Sequence, residues 1–269
     1  MSGALARWDG FLAQIAGRHH EVLVAAEAAA QSFVATVAAG GDVLPLSHQL
    51  MAVDSRLSDL ERKIIDTWHA QVEQAIFDDG LGVADRDREF AKGRALQHAL
   101  EDRREELEPR VFAELSRQRY AHALAAARAV VCGQCGVRRT GGVWFRATEL
   151  TCACGARMLF EPGDLMRSVT AIGAHSIAQE AAVVEWRAMR AAGHRMHEIR
   201  PPRPLEAVVD NERAQIAYWR AYLSVRSRFE PEIARDPAME IRSRMEAWYV
   251  SHAEFEEAWV AAGRPRLPI

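Results

Sequence analysis

All four cysteines of this 269-residue chain fall within one stretch. They stand as Cys132-Gly133-Gln134-Cys135 and, after sixteen further residues, Cys152-Ala153-Cys154. Two cysteines separated by two residues can present both sulfurs to one ion from a single tight turn, and four thiolates at about 2.3 Å complete a closed tetrahedral shell around zinc. Glycines stand where the backbone must reverse: Gly133 and Gly136 around the first pair, Gly155 after the second. The expected ligands are Cys132, Cys135, Cys152 and Cys154, and the expected cofactor is one structural Zn2+.

Two other chemistries use the same residues. A redox pair is one, but a reactive thiol of low pKa usually stands at a helix N-terminus, near the positive end of the dipole, whereas a helix is expected to run into Cys132. The thioredoxin-like pattern also needs a βαβ setting, for which the sequence offers no sign. An iron–sulfur cluster is the other, and counting ligands does not separate it from zinc.

Between and after the pairs, Val143 to Thr148, Glu149 to Thr151 and Arg157 to Phe160 read as short strands, with Gly141-Gly142 marking a turn. In this layout residues 131–161 resemble the zinc-ribbon family, on Cys132, Cys135, Cys152 and Cys154 with the glycine after each knuckle. The second pair departs from the commoner spacing, having one intervening residue in place of two. Zinc ribbons occur in transcription factors, RNA polymerase subunits, translation proteins and adaptors, so the resemblance implies a module and leaves its task open.

Around the cysteines the charge is one-sided. Residues 128–160 hold Arg128, Arg138, Arg139, Arg146 and Arg157 against Glu149 alone. With Trp144 and Phe145 interleaved, Arg138, Arg139, Trp144, Arg146 and Arg157 form a candidate binding surface, since arginine meets phosphate and aromatic rings stack on bases. The plainer explanation is favoured. Four thiolates on one divalent ion leave a net negative charge that nearby guanidiniums offset, and at least one of the two rings is expected to pack on a helix.

Histidines are the remaining chemical candidates. His194 and His197 are spaced to share a metal on a helix, but the helix is expected to end near them. His19, His122 and His252 fall on or near apolar stripes, where a hydrogen-bonded core role is commoner than ligation. Asp66 with His69, and His252 with Glu256, have helical spacing, yet the paired Glu-x-x-His pattern of di-iron bundles is missing. The chain has no Gly-x-Ser-x-Gly, P-loop or dinucleotide fingerprint. No catalytic residue is assigned, and the balance leans away from an enzyme.

The elements that must carry the cysteines read as helices. Leu5, Trp8, Leu12, Ile15, Val22, Ala26, Ala29, Phe33 and Val37 form one stripe, which His19 joins, and Gly40-Gly41 stops it. Leu50, Val53, Leu57, Leu60, Ile64, Trp68, Val72 and Ile76 form a second, with Asp54, Asp59, Glu61 and Arg62 opposite. A charged helix is expected over about 85–107, with the run Glu101 to Glu106 as a solvated face. Further helices are expected over 109–131, 165–192 and about 205–229, with one more after Pro237. The segment Gly193 to Pro204, with Pro201-Pro202-Arg203-Pro204, is not expected to be helical throughout and marks a linker.

The predicted fold is mainly α, built of helical hairpins or a bundle with a small inserted β zinc ribbon. Its expected regions are 1–108, a helical hairpin over 109–193 that carries the ribbon at 131–161, and a C-terminal helical pair over 205–269. A composition of 49% hydrophobic and 26% charged residues suits a packed globular chain. The formal charge of −3 gives no global pull toward nucleic acid or anionic lipid. Without an N-terminal signal or an apolar span of membrane length, a cytoplasmic protein with no membrane partner is expected. The functional expectation is an interaction or scaffold protein whose ribbon faces a protein partner, a second copy of itself included. A nucleic-acid-binding or transcription-associated regulator is the alternative.

Overall fold

The computed structural model describes residues 3–125, 130–139, 147–199, 203–230 and 235–253. It is mainly α, as expected, with a small inserted β element. The chain clusters into two compact units, 1–111 and 112–269.

The first unit begins with α1 (Gly3–Val37), α2 (Leu44–Thr67) and α3 (Glu73–Asp78), the last two joined through a π-helical turn at Trp68–Val72. After it comes α4 (Val83–Glu105). Gly40 takes φ +127°, and Gly40 and Gly41 both donate to the Val37 carbonyl, which ends α1. Pro45 stands in the first turn of α2, where its missing N–H costs nothing. The buried stripe of α1 starts at Trp8, Leu12, Ile15 and His19 and continues through Leu23, Ala30, Val34 and Val37. This is one residue later than the expected Val22, Ala26, Ala29 and Phe33. The two stripes share Trp8, Leu12, Ile15 and Val37, so only the middle of the helix is turned by about one residue.

Trp8 is the centre of this unit. Its ring stacks on Phe11 at 5.7 Å and meets Trp68 edge-on at 5.4 Å, while its Nε1 donates to the Glu89 carbonyl at 3.3 Å. Gly93 makes room for it, since a Cβ there would stand 2.6 Å from the indole. The π-helical turn adds one residue to the ladder just after Trp68, and Val72 and Ile76 still return to the core beside Trp8 and Ile64.

Of the charges expected to face solvent, Glu61 is instead inside and Arg104 is half-buried beside it. Glu61 is 2% exposed, and it accepts from His19 Nε2 at 3.1 Å and from Arg104 Nε at 3.0 and 3.1 Å. Arg104 also reaches Asp54 at 2.5 Å. The run Glu101–Glu106 is therefore not a wholly solvated face, because one of its arginines completes a buried network spanning α1, α2 and α4.

The second unit contains most of α5 (Leu107–Ala125), then β1 (Val130–Val131), β2 (Arg138–Arg139), β3 (Thr148–Thr151) and β4 (Arg157–Phe160). Helix α6 (Asp164–Ser168) passes through a second π-helical turn, Val169–Gly173, into α7 (Ala174–Ala181). Helices α8 (Val183–Glu198), α9 (Leu205–Arg226) and α10 (Pro237–Ser251) complete it. Val131 is strand rather than the end of a helix. The helix expected over 165–192 is interrupted at Val169–Gly173 and at Ala182, and its last part runs on to Glu198. Pro201 and Pro202 lie outside the described residues.

Helix α9 packs along α7, α8 and α10. The shared core holds Ala178, Ala182, Ile216, Tyr222, Leu223, Ile241 and Met245. Asp236 caps α10 by accepting from the Met239 amide at 2.9 Å. Near the cysteine module, Ser116 on α5 sits against Gly173, where any Cβ would overlap the serine side chain. Arg117 reaches Glu180 from the same face at 2.5 and 3.2 Å. So α5 touches the helical run α6–α7 at these two places.

Candidate metal centre

Each cysteine pair is set by a short antiparallel ladder and a glycine turn. Val130 and Val131 pair with Arg139 and Arg138, and the ladder ends where the Cys132 amide donates to Val137 O at 3.0 Å. The chain then reverses, with Gly136 N donating to Cys132 O at 2.9 Å. In the second knuckle β3 pairs with β4 from Thr148↔Phe160 to Thr151↔Arg157. There Cys152 N donates to Ala156 O at 2.8 Å, and Gly155 N to Cys152 O at 2.9 Å.

Gly136 and Gly155 take φ of +70° and +85°, the left-handed region that a side chain disfavours. Gly133 does no such work. The two reversals differ by one residue, Cys132 closing on Gly136 and Cys152 on Gly155. The shorter cysteine spacing is thereby matched by a shorter turn, and in both knuckles the left-handed glycine directly follows the second cysteine.

The result brings all four sulfurs within 4.8 Å of one another. Cys132 Sγ lies 3.7 Å from Cys154 Sγ, and Cys135 Sγ lies 3.5 Å from Cys152 Sγ. Metal–sulfur bonds of about 2.3 Å in a tetrahedron give edges of about 3.8 Å. A disulfide would need about 2.05 Å, and the four are free thiols. Cys132 and Cys152 are buried against Met158, with Leu150 and Ala156 alongside, while Cys135 and Cys154 face outward. The arrangement can hold a single metal ion just under the surface.

Electrostatics in the shell favours a cation. Backbone amides of Cys135 and Gln134 point at Cys132 Sγ and bring its thiol down to about 6. The Val137 amide acts the same way on Cys135, but the sulfurs of Cys152, Cys154 and Cys132 outweigh it and push Cys135 up to about 12. One sulfur is favoured in its ionised form, while hydrogen bonds to the other sulfurs and burial keep the proton on its neighbour. A divalent ion at the centre removes that conflict.

Of the expected binding surface, Arg138 is exposed on β2. Arg157 is exposed on β4, its Nε 3.3 Å from Glu149 Oε1. Arg139 lies on β2 opposite Val130. Trp144, Phe145 and Arg146 lie outside the described residues.

The expected histidine groupings rearrange. His69 Nδ1 meets Glu73 at 3.3 Å instead of Asp66. His194 and His197 are both helical, in α8. The ring of His197 lies 5.9 Å from that of His252, and Glu256 is outside the described residues.

A further array escaped the sequence. Arg226 pairs with Glu230 at 3.0 Å and donates to Tyr222 Oη at 2.5 Å. On its other side Tyr222 Oη lies 2.7 Å from His175 Nδ1. Burial of part of its ring, with Arg226 and Arg244 nearby, lowers the His175 pKa. The 222, 226, 230 spacing was available as a signal, but its partner on α7 was not.

Among the described residues no helix is long and apolar enough to cross a membrane. Protein-family models, curated proteins and solved structures give no match to this chain.

Proposed function

We propose that residues 131–161 form a zinc-ribbon-like module that holds one structural Zn2+ and presents a binding face to a protein partner, making the chain an interaction or scaffold protein of the cytoplasm. Four thiolates suit zinc because they are soft donors in a tetrahedral set, and a filled set leaves no position for a substrate or an activated water. The observation that carries the reading is what surrounds the shell. Val131, Val137 and Leu159 are 51%, 50% and 64% exposed on the strands and turn that hold the cysteines. Apolar side chains exposed together around the cysteines suit contact with a partner.

Affinity capture from the source cells tests this, using the intact protein, Cys132→Ser and Leu159→Asp. The expected outcome is a partner retained by the intact chain and lost from both variants, while Leu159→Asp keeps its metal. A second copy of the chain as that partner would appear as a dimer in light scattering. Partners held equally by all three proteins would overturn the reading. The nucleic-acid alternative has weaker support, because Arg157 is matched by Glu149. It would gain only from binding that falls steeply with salt and is lost in Arg138→Ala with Arg139→Ala.

A further inference from the structure

We infer that Cys135 and Cys154 are sites of reversible oxidation by peroxide, each closing onto the buried cysteine of the opposite knuckle, so that the metal is released while the knuckles stay joined. The inference rests on the zinc reading above. Cys135 and Cys154 are exposed, whereas Cys132 and Cys152 are buried. Each exposed sulfur touches a buried one across the module. Cys135 Sγ lies 3.5 Å from Cys152 Sγ, and Cys154 Sγ lies 3.7 Å from Cys132 Sγ. Met158, Leu150 and Ala156 pack around the buried pair. A small oxidant therefore meets Cys135 or Cys154 first, and a second sulfur already lies behind each of them.

Binding to a metal holds the sulfurs as thiolates, the form that attacks peroxide. The Cys135 thiolate bonds to one peroxide oxygen, the O–O bond breaks and hydroxide leaves, giving a sulfenic acid. The Cys152 thiolate then attacks the Cys135 sulfur, the S–O bond breaks and a second hydroxide leaves. Two thiolates have lost two electrons in all, one peroxide has gained them, and one disulfide has formed. For that bond the sulfurs must close from 3.5 Å to about 2.05 Å, within reach of side-chain rotation alone.

A disulfide sulfur carries no charge and is a poor metal donor, so the tetrahedral shell is reduced to two thiolates and the ion is set free. The same two steps at Cys154 and Cys132 consume a second peroxide. Both bonds run between the knuckles, so the module keeps its closure without the ion. Thiol–disulfide exchange with a dithiol returns the four thiols.

The test is a stepwise hydrogen peroxide titration of the zinc-loaded full chain, with released metal read by a colour-forming chelator. At one peroxide per zinc the remaining thiols are alkylated, and tryptic peptides 129–138 and 147–157 are mapped by fragmentation mass spectrometry. The two peptides should be joined, through Cys135 and Cys152 or through Cys132 and Cys154. Metal release should be complete by about two peroxides per zinc, and a dithiol with added zinc should restore the loaded thiols. Disulfides within a knuckle, a Cys132–Cys152 or Cys135–Cys154 bond, oxidation that a dithiol does not reverse, or zinc retained at about tenfold excess peroxide would overturn the inference and leave the zinc reading standing. A chain that takes up no zinc would overturn both.

Discussion

The sulfurs of Cys135 and Cys152 lie 3.5 Å apart although seventeen positions separate them in the chain, and one faces solvent while the other is buried. Two ladders and two left-handed glycines hold that separation without a covalent bond between the thiols. Like charges at this distance repel, so the contact is stable only with protons or a cation between the sulfurs.

Removing the metal should therefore release the module locally. Structural zinc contributes about 10–16 kcal/mol of binding free energy in small sites near neutral pH, far more than two-residue and four-residue strands can supply. Hydrogen exchange should show the amides of Cys132, Gly136, Cys152 and Gly155 losing protection in excess chelator. The amides of Leu60 and Ile64 in α2 should keep theirs.

Glu61 ties three helices together from inside the first unit. Replacing it with alanine leaves His19 buried without its acceptor and takes from Arg104 the buried one of its carboxylate partners, a change that costs about 1–3 kcal/mol. Chemical denaturation should report that loss for Glu61→Ala. Glu61→Met with Arg104→Met should recover much of it, because both charges are then gone. Equal stability of Glu61→Ala and the native chain would remove the network from the account.

Gly93 and Gly173 are predicted to resist even one methyl group. At Gly93 the new Cβ meets the Trp8 indole at 2.6 Å, and at Gly173 it meets Ser116. Overpacking of this kind costs about 1–3 kcal/mol. Gly10→Ala and Gly17→Ala in α1 have open space around them and should be neutral or slightly stabilising, which makes them controls for a thermal-melting series.

His175 sets a pH dependence whose sign follows from its surroundings. Partial burial, then Arg226 and Arg244, lower its folded-state pKa, so the unfolded chain takes up the proton first as pH falls. The contribution is fully present above the unfolded value of about 6.5 and declines as pH drops from there through the folded pKa. Melting of the second unit should fall between pH 7 and 5, and His175→Gln should show a smaller drop. An identical drop in both proteins would exclude the histidine as a source.

The sequence made the helical architecture and the cysteine shell readable for a physical reason: both are local patterns. Apolar spacing of three and four locates the helices, and two close cysteine pairs with adjacent glycines define the shell. What was not readable depends on how distant helices are phased. Glu61 lies one position from Leu60 on an apolar stripe, so a small rotation of α2 decides between water and core. Arg104 looked like part of a solvated run because nothing near it in sequence identifies its partner. The juxtaposition of His197 with His252 arises only when α8 and α10 are packed on α9, across more than fifty residues of chain.

X-ray absorption at the zinc edge, on the full chain after dialysis against a mild chelator, tests the four-thiolate clip most directly. The account predicts one tightly held zinc per chain, with four sulfur neighbours at about 2.3 Å and no second metal in its scattering shell. Fewer than four sulfurs, nitrogen or oxygen neighbours in their place, metal–metal scattering, or a metal-free protein with its cysteines paired as disulfides would contradict it.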